Sequence, residues 1–199
     1  MHEVRRRLFY GIAACGVAAA AFALAASGAT KPDKASKAST EQVERGRYLV
    51  NLGGCNHCHS PKAMGPNGPV THPLKTLSGH AAESKLPEIP KGVIGPDKWM
   101  GITNSDMTAW VGPWGVSFAA NLTPDPATGI GAWTEDVFIK SMRTGKHMGT
   151  GRQILPPMPW EDIGKLTDQD LKDVFAFLMS IPAVRNPVPQ PIPPAGEKR

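Results

Sequence analysis

Cys55-Asn56-His57-Cys58-His59 is the stretch from which the rest of this 199-residue chain is read. Two thiols three positions apart on one helical turn can each add to a neighbouring vinyl group of a porphyrin. The histidine directly after the second thiol then lies beneath the iron with a ring nitrogen to donate. C-x-x-C-H is for that reason the signature of a covalently attached c-type haem. Two other chemistries use paired cysteines, and the surroundings argue against both. A structural zinc site needs four ligands, and the chain has neither a second cysteine pair nor an H-x-x-x-H partner. A thioredoxin-like redox pair sits in a βαβ unit, whereas this pair follows a capped helix in a chain with no clear strand pattern. The motif occurs once, so one haem c is expected, bound by Cys55 and Cys58 with His59 as an axial iron ligand. His57 reads as a spacer inside the motif, and His72 and His80 as loop residues without partner spacing.

A low-spin electron-transfer haem takes Met or His as its second axial ligand. Eight methionines occur, and their settings differ. Met158 stands in Leu155-Pro156-Pro157-Met158-Pro159-Trp160, where prolines on both sides restrict the backbone and can hold a thioether on a rigid loop. Met148, in Gly145-Lys146-His147-Met148-Gly149, is the rival on a mount that its glycines make flexible. Met142 lies on a helix face and reads as core, while Met64, Met100 and Met107 have no special framing. These arguments favour Met158.

The predicted elements are helical. Ser39 or Thr40 caps a first helix over Glu41–Leu52, with Val43, Tyr48 and Leu52 on one face and Gly53-Gly54 at its end. Thr134 caps Glu135–Thr144, where Glu135 and Asp136 suit the N-terminal dipole, Phe138 and Met142 share a face, and Gly145 ends the helix. Thr167 opens a third helix whose stripe is Leu171, Val174, Phe175 and Leu178, closed by Pro182. Between the motif and the second helix, residues 60–116 carry eight Pro and eight Gly. Trp99, Trp110 and Trp114 in that stretch predict an ordered loop packed on something apolar, with a weak helical signal over Thr103–Val111. With no alternating run longer than four residues, the expected class is all-α, a helical domain over 40–182 interrupted by a Pro/Gly-rich insertion at 60–116. Residues 183–199 read as an extended, proline-rich tail.

The ends speak to targeting. Arg5-Arg6-Arg7 precedes an uncharged run from Leu8 to Thr30 that ends in small residues, the pattern of a signal peptide over residues 1–29. If uncut, the run at 8–29 is long enough for a membrane anchor. Residues 30–39 read as a flexible linker. Without Arg5–Arg7 and Glu3 the net charge falls from +5 to +3, and no basic stripe interleaves with aromatics, so nucleic acid is not an expected partner. With two cysteines outside the leader, a disulfide-stapled domain is excluded.

Arg45-Gly46-Arg47-Tyr48-Leu49-Val50 running into the motif resembles the opening of class I c-type cytochromes, especially the cytochrome subunits of bacterial periplasmic dehydrogenases. Asn121-Leu122-Thr123-Pro124-Asp125 with Thr128-Gly129-Ile130-Gly131 is similar to a stretch those proteins place on the Met side of the haem. Pro156-Pro157-Met158-Pro159-Trp160 resembles their Met-ligand loop, and Leu166–Leu178 their last helix. The resemblance covers about 41–59 and 117–182. It implies a class I cytochrome c-like fold in which first and last helices cross, with Gly46 at the close approach, and it supports Met158 opposite His59. It implies one-electron carriage between a dehydrogenase or quinol-oxidising complex and an acceptor such as a terminal oxidase. The expected location is the periplasm or the outer face of the cytoplasmic membrane. No hydrolytic or acid–base constellation stands out, so an electron-transfer protein rather than an enzyme is expected. The alternative is a haem enzyme or gas-binding protein with an open sixth site. His59 and Met158 lie 99 positions apart, wider than a compact class I domain requires, and the excess falls in 60–116.

Overall fold

The computed structural model describes residues 38–194, so the targeting segment at 1–29, nearly all of the 30–39 linker and the last five residues of the tail lie outside it. Helix α1 runs Thr40–Leu52. The Ser39 side chain accepts from the Gln42 backbone while Gln42 returns a bond to the Ser39 N–H, a capping box that satisfies two otherwise orphaned donors. Helix α2 is the single turn Cys55–His59, entered through Gly54 in the left-handed conformation. Helix α3 spans Glu135–Thr144 behind its Thr134 cap, α4 is the short Trp160–Ile163, and α5 spans Asp168–Ser180 behind Thr167.

Helices α1 and α5 form the largest interhelical contact. The face of α1 that meets α5 differs from the expected one: Tyr48 and Leu52 are exposed, while Gly46 and Val50 are buried and Val43 and Leu49 pack against the core. Gly46 sets that rotation. A Cβ there would overlap the Asp173 carbonyl and stand 2.8 Å from the Phe177 Cβ, so the two helices touch backbone to backbone as the resemblance implied. The expected stripe of α5 is buried throughout, and Phe138 and Phe175 pack with ring centroids 5.4 Å apart.

One ion pair ties the helices at their rim. Arg45 donates through Nε and Nη2 to Asp170 Oδ1 at 3.1 and 2.9 Å, and Thr167 Oγ1 donates to Oδ2. The Arg45 hydrogen bond holds the Asp170 carboxyl below its usual value. Its contribution is present above the unfolded carboxyl value near 3.9 and is lost as pH falls through the lower folded one. Asp170→Asn is therefore expected to cost about 0.5–1 kcal/mol at pH 7, and the gap to wild type should close below about pH 4. Urea melts at the two pH values check this, and a gap that persists in acid assigns the effect to something other than charge.

The insertion overturns the all-α expectation. With the two residues that follow it, it holds a hairpin of β1 (Lys62–Gly65) and β2 (Gly68–Thr71), and a three-stranded antiparallel sheet of β3 (Ile102–Thr103), β4 (Ala109–Gly112) and β5 (Gly115–Phe118) in that order. Strands of two to four residues leave no alternation long enough to read. The helical signal over Thr103–Val111 fails because Asn104 Oδ1 accepts from the Thr108 and Ala109 backbones, offering a turn in place of helical bonding. The tail after Pro182 is extended but bound. Val184 bonds Asn121 and Thr123, Ile192 and Val116 exchange backbone bonds of 2.7 and 2.9 Å, and Asn186 is buried.

Candidate haem-attachment site

The turn of α2 brings Cys55, Cys58 and His59 onto one short element that follows α1 and packs on it. Both cysteines are free thiols and half-buried, and His57 between them is exposed. Burial pushes both thiols up, and at Cys58 the Lys62 ammonium pulls the other way. His59 is buried, and its Nδ1 lies 2.8 Å from the Ala120 carbonyl oxygen. A carbonyl only accepts, so Nδ1 carries the proton and Nε2 keeps its lone pair. Burial also pushes the ring below its usual value, disfavouring the imidazolium. Two half-buried thiols and an imidazole oriented by the Ala120 carbonyl are the donor set a covalently bound haem needs, so the residues present fit the group.

Two features of the turn carry no signature in the motif. Lys62 Nζ donates to the carbonyls of Ser60, His57 and Asn56 at 2.7, 2.8 and 3.3 Å, supplying partners to the end of α2. The available signal was a lysine just past a one-turn helix whose last carbonyls need donors. Ser60 is fully buried; its Oγ donates to Asn56 and accepts from the Leu77 N–H at 2.8 Å. Through Leu77 the insertion reaches the motif directly. His80, expected as a loop residue, is buried against Phe118 with Nδ1 2.8 Å from Thr108 Oγ1.

The stretch starting at Asn121 directly follows Ala120, whose carbonyl receives the His59 bond. Met158 is half-buried and packs on the same apolar cluster as Cys55. Its loop is braced: Ser117 Oγ of β5 donates to the Pro156 carbonyl at 2.6 Å, and the Trp160 ring lies over Gly145. Met148 is 49 % exposed at a φ of 54°, and Met64 and Met100 are more exposed still.

Comparison with known proteins agrees with the resemblance read from the motifs. The chain is 29 % identical over 151 residues to a component of the nicotinate dehydrogenase of Pseudomonas putida, covering 76 % of this chain and 10 % of that protein. It is 28 % identical over 151 residues to the fructose dehydrogenase cytochrome subunit of Gluconobacter japonicus, covering 76 % and 23 %. Over 67 residues it is 37 % identical to the cytochrome c subunit of the quinone-dependent alcohol dehydrogenase of Gluconobacter oxydans, covering 34 % and 14 %. The chain thus spans about a quarter or less of the length of these relatives. No family model matches it. The chain is similar to cytochrome c subunits of bacterial dehydrogenases.

Proposed function

We propose that this chain is a one-electron carrier holding a single c-type haem. Cys55 and Cys58 would hold the haem through two thioether links, and His59 Nε2 and the Met158 thioether would be the protein's donors to its iron. The haem iron supplies a one-electron couple, and the protein's residues set its environment. The observation that carries the reading is the orientation of His59, which is buried, with Nδ1–H held on the Ala120 carbonyl and Nε2 left to donate. Burial of the ring excludes water from that bond, and Lys62 and Ser60 hold the turn on which it sits. Ser117 and Trp160 hold the Met158 loop so that its thioether needs little reordering between oxidation states.

The donor is a dehydrogenase, the class of complex in which the relatives' names place them, and the acceptor is a downstream oxidase. The protein works outside the cytoplasm, in the periplasm or held at the membrane through residues 8–29.

Spectra of the purified full chain test this. Haem staining should survive denaturation, and the oxidised protein should show the weak red band of Met–iron ligation. Met158→Ala should lose that band, lower the reduction potential and open the reduced protein to carbon monoxide. Carbon monoxide binding by reduced wild type would instead assign an open sixth site and a gas-binding or enzymatic role.

A further inference from the structure

We infer that Asn186, in the proline-rich tail, is a positioning residue for His59, acting through the insertion on the Ala120 carbonyl. The inference rests on the reading of His59 as an axial ligand. Ala120 receives the His59 Nδ1–H, and a segment of the insertion is laid along its backbone. The His80 N–H donates to Ala119 O and the Leu122 N–H to Leu77 O, each at 2.9 Å, one bond on either side of Ala120. The same segment reaches His59 itself, because the Gly79 N–H donates to the His59 carbonyl at 2.8 Å. Gly79 adopts φ 80°, and a Cβ there would stand 2.5–2.7 Å from the Ala119 and Ala120 backbone, so no other residue lets the two segments lie this close.

One carboxamide ties the segment to the tail. Asn186 Nδ2 donates to Ser78 O at 2.7 Å and to His80 O at 2.8 Å, while Oδ1 accepts from the Ala82 N–H at 3.0 Å. All three bonds are made by a buried side chain in a low-dielectric setting, where an unmade bond is costly. Asn186 is itself anchored beside Ala120. Its N–H donates to Thr128 Oγ1 at 2.9 Å, and Asn121 Nδ2 donates to that hydroxyl and to Val184 O. The carboxamide therefore closes a ring of hydrogen bonds around the carbonyl that orients His59.

The consequence is electronic. A firm Nδ1–H···O bond raises the basicity of a ligating imidazole, and outer-shell partners of this kind tune the metal. A stronger donor favours the oxidised iron, so loosening the Ala120 carbonyl should move the potential upward.

The test uses the haem-bearing full chain. Asn186→Leu removes the three bonds while keeping the number of side-chain heavy atoms. Ile192→Ala, in the same tail but bonded only to Val116 through its backbone, is the control. Two quantities are read: the midpoint potential, and the solvent exchange of the His59 Nδ1–H in the reduced protein by nitrogen-15 NMR. Asn186→Leu should keep covalent haem and the red band, yet shift to a more positive potential and exchange that proton about tenfold faster, the scale of one lost hydrogen bond. Ile192→Ala should change neither. Should Asn186→Leu not accumulate, Asn186→Ser, which keeps one donor, should shift both readouts in the same direction by less. Unchanged potential and exchange in haem-bearing variants, with only a lower melting temperature, overturn the role of Asn186 alone. A wild type without covalent haem overturns the ligand reading and this inference with it.

Discussion

Replacing Gly46 with valine is expected to prevent the domain from folding or to cost at least about 3 kcal/mol, the upper range for overpacking a close-packed site. The clash is with backbone and not with a side chain that can swing away. The added Cβ overlaps the Asp173 carbonyl, and 2.8 Å away lies the Phe177 Cβ, fixed to its helix. Asp173 and Phe177 sit within α5, and Gly46 sits within α1, so neither backbone can retreat without breaking its own hydrogen bonds. The helices must separate instead, which opens Val50, Leu171 and Val174 to water. Gly46→Ala separates the contributions. In an exposed helix the change would gain about 1 kcal/mol of propensity, and here the overlap should outweigh that gain and leave a net loss. Urea midpoints of both variants, with the yield of haem-stained protein, give the measurement. An alanine variant as stable as wild type would mean that α1 and α5 do not meet backbone to backbone.

Local chemistry made the helices readable. Each of the three long ones begins at a Ser or Thr whose side chain accepts from a backbone N–H three positions on, and the α3 and α5 stripes repeat at helical spacing. The face of α1 was misread because periodicity counts apolar side chains. The contact there is made by the absence of one, at Gly46, which rotates Tyr48 and Leu52 to the surface. The strands of the insertion were hidden by their length, with Gly and Pro in or beside each short run. Cys55, Cys58 and His59 were legible because the motif concentrates their chemistry in five residues. Their supports were not, since Lys62, Ser60, Ala120 and Asn186 act through backbone carbonyls and long-range bonds that carry no sequence period. Asn186 is 127 positions from His59, in a segment whose composition signals only an extended chain.

The insertion, which no part of the haem chemistry requires, is expected to be part of the core, and Leu77→Ala is the variant that decides it. Leu77 has no exposed surface and, among the described residues, is the one buried member of the central apolar cluster contributed by 60–116. Truncation of a fully buried leucine costs about 3–5 kcal/mol, through lost transfer energy and a residual cavity. The backbone around it leaves little room to collapse. Its N–H is held by Ser60 Oγ at 2.8 Å, its carbonyl by the Leu122 N–H at 2.9 Å, and its φ is 57°. Alanine keeps that left-handed conformation and most of its strain, so the loss reads as packing rather than relief or gain of backbone energy. Trp99, 69 % exposed in the outer part of the insertion, provides the contrast, and Trp99→Ala should stay within about 0.5 kcal/mol of wild type. Thermal melts of haem-loaded protein compare the two. A large cost at Leu77 with none at Trp99 divides the insertion into an inner wall of the haem site and an outer loop that stability does not require. Equal, small costs would return the whole of 60–116 to surface elaboration. In the first case the wide spacing between His59 and Met158 has a physical cause. The chain uses it to lay residues 77–80 against the histidine and to lead into β5, whose Ser117, just past the insertion's end, bonds the Met158 loop.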